Sequence, residues 1–426
     1  MARFHFLHAA DLHLDSTFLG LRTATPDHVA QALEAATFSA FGRLVALAIE
    51  RQVSFVVVAG DVYDGEDRSL RAQLRFRDGL KRLSEAGIES FVVFGNHDPL
   101  SGWSARIEWP DRAYLFGADC VEVRQVRRDG QLLAVVHGIS HPRKQLKDNL
   151  ARQFLREEEH AFAIGLLHAN LDANSGHENY APCSRDDLDA ARMDYWALGH
   201  VHTRTEMALS EGRQAAYPGN TQGRSRAEKG ERGCFLVSVD GAEVDIEFAA
   251  LDAVRWAEER VRVDGLAEDE ELLVALGERC RKLQDEADGR PVVCTIRLVG
   301  SSPLHGTLAR AGYADHLLEE LREEHASDDR FVWVDRLEVA TRPEIDRDAR
   351  KLAGDFAAEL LTLVDEISSS PEQLQALSQE LQPLREQLNK LPPALAVELP
   401  ERDEDLLEWL ARAEVICLDL LEGTAI

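Results

Sequence analysis

Five short segments hold the residues best suited to chemistry, and each closes an apolar run. "FHFLHAADLHLDS" (residues 4–16) ends in Asp11, His13 and Asp15. "FVVVAGDVYD" ends in Asp61 and Asp64, "SFVVFGNHD" in Asn96, His97 and Asp98, "AIGLLHAN" closes on His168, and "YWALGHVH" closes on His200 and His202. Imidazole, carboxylate and amide oxygen are ligands for borderline-to-hard divalent cations such as Mn²⁺, Mg²⁺, Fe or Zn²⁺. Burying such groups at the end of a strand is costly unless coordination offsets the lost hydration. The matching task is in-line displacement at phosphorus, where two cations about 3.5–4 Å apart clamp the attacking and leaving oxygens. One carboxylate must then bridge the ions, and Gly60 before Asp61 lets the backbone come close. A lone D-x-H or H-x-H is usually a turn or a cap; five such matches in order, each after an apolar run, are not explained that way.

Other polar residues carry weaker signals. His5 and His8 lie inside the first apolar run and are expected to pack. His137, His141 and His177 are ambiguous candidates for touching substrate. Asp15 and Asp172 are expected to cap or hydrogen-bond locally. The basic stretch "QGRSRAEKG" offers Arg224, Arg226 and Lys229 for backbone phosphate, with a solvated loop as the plainer reading.

Elements that could position these groups alternate along the first half. "RFHFLHAADLH", "VSFVVVAGD" and "IESFVVFGNHD" read as strands, separated by helical patterns in "HVAQALEAATFSAFGRLVALAIER" and "LRAQLRFRDGLKRLSEAG". Further strands are expected in "LLAVVHGIS", "HAFAIGLLHAN" and "MDYWALGHVH". Strands separated by 3.6-period helices imply α/β layering. Carboxyl ends of neighbouring parallel strands converge on one edge, where ligands bind. After residue 203 the text becomes hairpin-like, with an Asp-Gly turn in "GCFLVSVDGAEVDIEFAAL", which predicts a second sheet completing a sandwich. The character changes near residue 252. A small β–α–β–α–β module is expected over 251–342, with helices near 268–287 and 313–325, and an acidic helical region over 343–426.

The 426 residues imply two or three domains. Net charge is −28, with about −8 on residues 1–250 and about −20 beyond. Such acidity argues against salt-driven binding of nucleic acid over the whole surface. It leaves room for a site whose positive charge comes from cations. Twelve of the fifteen histidines lie at or before His202, so imidazole chemistry belongs to the N-terminal half. The six scattered cysteines, without a CxxC pair, suggest reduced thiols and argue against a cysteine zinc site. No run of about 18 apolar residues suggests a membrane span. With no basic and apolar leader pattern, the expectation is cytoplasmic.

The ordered motifs D-x-H, G-D-x-x-D, G-N-H-D, a lone His and G-H-x-H resemble those of the calcineurin-like metallophosphoesterases. "HAADLHLDS", "GDVYDG", "VFGNHDP", "NYAPCS", "DYWALGHVH" and "YPGNTQGRS" narrow the likeness to the DNA repair exonuclease branch, which includes SbcD-like and YhaO-like bacterial proteins. The resemblance is strong over about residues 1–240. It implies a four-layer α/β/β/α sandwich with a small α/β capping domain and a helical C-terminal region. It also implies two divalent ions, Mn²⁺ first among them. Asp11, His13, Asp61 and His202 would hold one, with Asp61 bridging, and Asn96, His168 and His200 would complete the other. His97 would face the scissile phosphate as proton donor, and Asp64 would orient it; some nuclease relatives carry His at that place. The implied activity is a DNA nuclease, 3′-to-5′ exonucleolytic with some endonuclease capacity. Implied partners are an SbcC-like or YhaN-like ATPase and a second copy of the chain. The alternatives are a phosphatase or nucleotide phosphodiesterase on the same core, and a non-catalytic regulatory subunit.

Overall fold

The computed structural model describes residues 3–16, 18, 25–65, 68–156, 161–172, 180–326, 329–343, 347–384, 400 and 403–422. His177 lies outside them. The chain divides into two compact units: residues 1–258, 280–295 and 325–335, and residues 259–279, 296–324 and 336–426.

In the first unit, strand β1 (Arg3–Ala9) leads to helix α1 (Asp27–Glu50), β2 (Phe55–Ala59), α2 (Leu70–Glu85), β3 (Glu89–Val93) and β4 (Ala113–Leu115). Then follow β5 (Glu122–Arg128), β6 (Gln131–Gly138), β7 (Phe162–His168), α3 (Arg185–Ala190), β8 (Tyr195–Gly199), β9 (Thr205–Ala208), β10 (Gln214–Tyr217), β11 (Gly233–Asp240) and β12 (Glu243–Ala250). One six-stranded sheet has the order β12-β11-β1-β2-β3-β4, and the other β5-β6-β7-β8-β10-β9. β1, β2, β3 and β4 pair in parallel, as do β6, β7, β8 and β10.

The sequence of β2, FVVVA, is buried at every position. It lacks polar alternation because both faces of a central parallel strand are covered. One face joins the core between the sheets, where Phe4, Phe6, Phe55, Val57 and Phe91 meet Val136, Ile164, Leu166 and Tyr195. The other packs beneath α1 and α2, with Val56 and Val58 against Leu44, Val45, Phe76 and Leu80. Trp196 and Leu198 on the outer face of the second sheet meet Leu188 of α3. The result is a helix–sheet–sheet–helix sandwich, the four-layer arrangement expected. α1 is long and apolar enough to cross a membrane by length and composition. Its side chains are nonetheless spent inside the protein: Phe41, Leu44 and Val45 on the sheet, and Val29, Leu33 and Ala36 against Trp256, Phe331 and Trp333.

Two expectations change. The hairpin β11–β12 turns at Asp240-Gly241 as anticipated, yet it extends the first sheet beside β1 instead of building a second. The second sheet instead opens with the β5–β6 hairpin at Asp129-Gly130. β5 escapes a reading of apolar runs because EVRQVRR is an edge strand, and edges carry charge that discourages pairing with another chain. His8 packs as expected, but His5 is exposed.

Three further strands, Arg255–Arg262, Val292–Ser301 and Val332–Arg342, form a sheet in that order. Helices span Asp269–Glu286, Tyr313–His325, Phe356–Ser369, Pro371–Glu380 and Asp403–Glu422, with two shorter ones at His305–Leu308 and Arg347–Lys351. Ala357 and Leu361 pack on Leu418, and Arg347 joins Asp365 to Glu414.

Candidate metal centre

The motif residues come from two facing sheets, not from one edge: β1, β2 and β3 of the first, and β7 and β8 of the second. The turns after β1 and β2 run side by side. Asp11 N–H donates to the Gly60 carbonyl (3.0 Å), His13 N–H to that of Asp61 (3.0 Å) and Leu14 N–H to that of Val62 (2.9 Å). Asp11, His13, Asp61 and His200 have φ of +52°, +42°, +49° and +104°. Four motif residues thus sit in sparsely populated backbone conformations, which persist where surrounding contacts over-determine them. Asp98 supplies one such set of contacts. Its carboxylate accepts from the backbone N–H groups of Gly95 (2.7 Å), Val62 (2.7 Å) and Tyr63 (3.1 Å), fastening the β2 turn to the β3 turn. Burial and the nearby Asp61 charge push its carboxyl up to about 6. Gly95 is required by space: a Cβ there would lie 2.3 Å from Asp61 Oδ1 and 2.7 Å from His168 Nε2.

Electron-rich atoms converge at two places. At the first, His13 Nε2 and His202 Nε2 face each other at 3.2 Å. His202 Nδ1 is 2.7 Å from Glu228 Oε1 and His13 Nδ1 is 2.9 Å from Asp64 Oδ1. The Glu228 carboxylate takes the Nδ1–H of His202, which leaves that Nε2 lone pair facing His13 Nε2, whereas His13 Nδ1 lies beside Asp64 without the alignment of a hydrogen bond. Two imidazole nitrogens on one cation at about 2.0–2.1 Å would be roughly 3.0–3.4 Å apart. Asp11 Oδ1 is 4.0 Å from His202 Nε2. At the second place, His168 Nδ1–H donates to the Ala59 carbonyl (2.8 Å), which turns its Nε2 toward Asn96 Oδ1 (3.0 Å) and Asp61 Oδ2 (3.4 Å). His200 Nδ1 meets the same Asn96 Oδ1 at 3.0 Å. Asp61 Oδ2 also lies 3.9 Å from His13 Nε2, so this carboxylate faces both places. The residues present therefore fit a pair of divalent cations.

The charges follow from burial and neighbours. Burial raises the Asp11 carboxyl. Burial works the same way on Asp61, but His168 and His13 outweigh it and hold Asp61 well below the usual carboxylate range. Burial opposes a charge on His168, and the Asp61 and Asp11 carboxylates overcome it, lifting the imidazole to about 9. His13 is lowered to about 3 by burial and by the Arg224 charge.

His97 borders the first ligand group, its ring meeting that of His13 edge-on with centroids 5.0 Å apart. Its backbone N–H donates to Asp61 Oδ1 (3.0 Å), its Nδ1 is 3.3 Å from the Asp64 carbonyl, and its side chain is 38% exposed. The Asp64 carboxylate is 3.8 Å from His97 Nδ1 but 2.9 Å from His13 Nδ1. Its nearer imidazole is thus His13, not the His97 it was expected to orient. The cations of "QGRSRAEKG" each meet a carboxylate: Arg224 meets Asp64 (2.5 Å), Arg226 meets the buried Asp335, and Lys229 meets Glu258. Glu228, hidden to sequence reading within a stretch taken as basic, contacts His202. His141 Nε2–H donates to the His168 carbonyl (2.7 Å), and burial lowers that imidazole to about 4. His137 is buried. Asp15 accepts from Ser69, the N-cap of α2, and Asp172 accepts from the Arg185 backbone (3.3 Å).

Such a cluster between two sheets suits a metallophosphoesterase, and the chain belongs to the calcineurin-like phosphoesterase family, whose model matches residues 4–204. The model for the middle domain of the metallophosphoesterase YhaO matches residues 256–342. The chain is 36% identical over 339 residues to the "Uncharacterized metallophosphoesterase YhaO" of Bacillus subtilis, covering 80% of this chain and 82% of that one. It is 27% identical over 279 residues to the "DNA double-strand break repair protein Mre11" of Thermoplasma acidophilum, covering 61% and 69%. A protein of the same description from Sulfurisphaera tokodaii is 30% identical over 217 residues, covering 47% and 51%.

Proposed function

We propose that the chain is a two-metal DNA nuclease, a 3′-to-5′ exonuclease with some endonuclease capacity, Mn²⁺ being the first choice of cation. The observation that supports the metal reading is the approach of the His13 and His202 Nε2 atoms to 3.2 Å, with Asp61 facing both ligand groups. DNA as substrate draws on the relatives described as double-strand break repair proteins.

Asp11, His13, Asp61 and His202 hold one cation, and Asp61, Asn96, His168 and His200 the other. Bound cations supply charge neutralisation at the phosphodiester and a hydroxide near neutral pH. Asp61, anchored by the His97 backbone, keeps the two ligand groups in register. His97 Nδ1 rests on the Asp64 carbonyl, which leaves Nε2 as the atom that would pass a proton to the departing oxygen. The helical C-terminal region exposes the apolar side chains of Leu352, Phe356, Leu363 and Ile416, which an SbcC-like or YhaN-like ATPase would cover.

The test is purified protein with Mn²⁺ or Mg²⁺ on end-labelled DNA of defined ends, beside p-nitrophenyl phosphate and bis-p-nitrophenyl phosphate. Shortening from 3′ ends, with cleavage of the diester, is expected. Hydrolysis of the small esters with intact DNA would make the enzyme a phosphatase or small-molecule phosphodiesterase. No hydrolysis of any substrate would favour the regulatory subunit.

A further inference from the structure

Two candidate ligand histidines are linked by a circuit of two carboxylates and an arginine. His13 Nδ1 faces Asp64 Oδ1 at 2.9 Å, and His202 Nδ1 faces Glu228 Oε1 at 2.7 Å. Arg224 joins the two carboxylates. Its Nη1 donates to Asp64 Oδ1 (2.5 Å) and to Ser16 Oγ (3.1 Å), its Nη2 lies 3.7 Å from Glu228 Oε1, and its backbone N–H donates to Glu228 Oε2 (2.6 Å). The Ser16 hydroxyl donates in turn to Asp64 Oδ2 (2.9 Å). The circuit closes where the two Nε2 atoms meet at 3.2 Å. The Arg224 and Glu228 side chains are only 16% and 13% exposed, so these contacts are made largely out of water.

We propose that Arg224 and Glu228 are positioning residues: with Asp64 they form a charged brace that aims the lone pairs of His13 and His202 at one cation. This assignment rests on the two-metal reading and reverses the expectation that Arg224 contacts phosphate. Two observations and one general rule support it. Arg224 Nη1 is spent on Asp64 and Ser16. A carboxylate behind a ligand imidazole fixes its tautomer and ring orientation. The guanidinium also lies against both carboxylates at once, Nη1 on Asp64 and Nη2 within 3.7 Å of Glu228, where an ammonium acts as a single point charge.

The experiment is calorimetric titration of the metal-free full chain with Mn²⁺, for wild type and for Glu228→Ala, Glu228→Gln, Arg224→Ala and Arg224→Lys, with thermal melting of each metal-free protein. Wild type is expected to take up two ions. Glu228→Ala and Arg224→Ala should weaken one of them about 10–100-fold and leave the other at wild-type affinity. That surviving ion shows the fold intact. Glu228→Gln should lie between, because its carbonyl still accepts from Nδ1–H, and Arg224→Lys should not restore binding. If Glu228→Ala does not fold, Glu228→Gln decides the point, wild-type affinity in a folded Glu228→Gln overturning the proposal. Wild-type affinity for both ions in Arg224→Ala, with only a raised KM for DNA, would make Arg224 a substrate contact and overturn it too. A wild-type chain that binds no Mn²⁺ removes the two-metal reading, and the brace with it.

Discussion

His97 follows Asn96 in sequence, and its partly exposed ring borders His13 at the rim of the first ligand group, with a backbone N–H on Asp61. His97→Ala should therefore lower single-turnover cleavage about 10²–10⁴-fold, the usual worth of a general acid, while both cations stay bound. Loss of a cation, or near-normal turnover, would remove it from that role. The convergence of the motif residues was the most legible layer of the sequence, because each closes an apolar run that becomes a strand. The supporting residues were harder to read. Asp98 works through backbone N–H groups, and Glu228 reaches His202 across 26 residues, so neither leaves a spacing to follow. His8 gives a separate prediction. It is buried between the Tyr195 hydroxyl and the Leu198 carbonyl, and burial lowers its imidazole to about 3 from an ordinary 6.5. Below pH 6.5 the unfolded chain takes up a proton that the fold refuses. Stability is thus lost as pH falls from 6.5 toward 3, by up to about 1.4 kcal/mol per pH unit. Urea unfolding of wild type and His8→Gln at pH 6.5, 5.5 and 4.5 should show the wild type alone carrying this extra slope. Equal slopes would mean that His8 ionises within the fold.

β8 ends in Gly199, where a Cβ would lie 1.8 Å from the carbonyl oxygen of Ala59, the last residue of β2. The two sheets therefore touch through backbone at the edge that carries Asp61 and His200. Gly199→Ala should force them apart, costing about 1–3 kcal/mol in unfolding free energy and weakening Mn²⁺ binding, since ligands of both sheets would separate. Unchanged stability and affinity would mean that the edge gives way locally. Strands and helices of the first half were visible as apolar runs and 3.6-residue periodicity. Sheet membership was not. β11 carries a pattern that suits either sheet, and only its pairing with β1 decides. β5 was invisible because three of its seven residues are arginine.

At the scale of the whole molecule, charge is divided as unevenly as chemistry. The motif residues lie before residue 203, while about −20 of the net −28 lies beyond residue 250. An acidic helical region with exposed Leu352, Phe356, Leu363 and Ile416 suits a protein partner better than a phosphate backbone. A chain ending at residue 342 should stay folded, cleave bis-p-nitrophenyl phosphate at the full-length rate, and lose co-purification with an SbcC-like or YhaN-like ATPase. Unfolding, or retained binding of that partner, would return the region to the core. The central claim is that Asp61 joins two cation sites, and Mn²⁺ titration of the metal-free protein tests it most directly. Two ions per wild-type chain are expected, with His168→Ala weakening one and Asp61→Asn weakening both, because an amide cannot neutralise two cations. A wild-type stoichiometry below two, or an Asp61→Asn protein that keeps both ions while His168→Ala loses both, would contradict it.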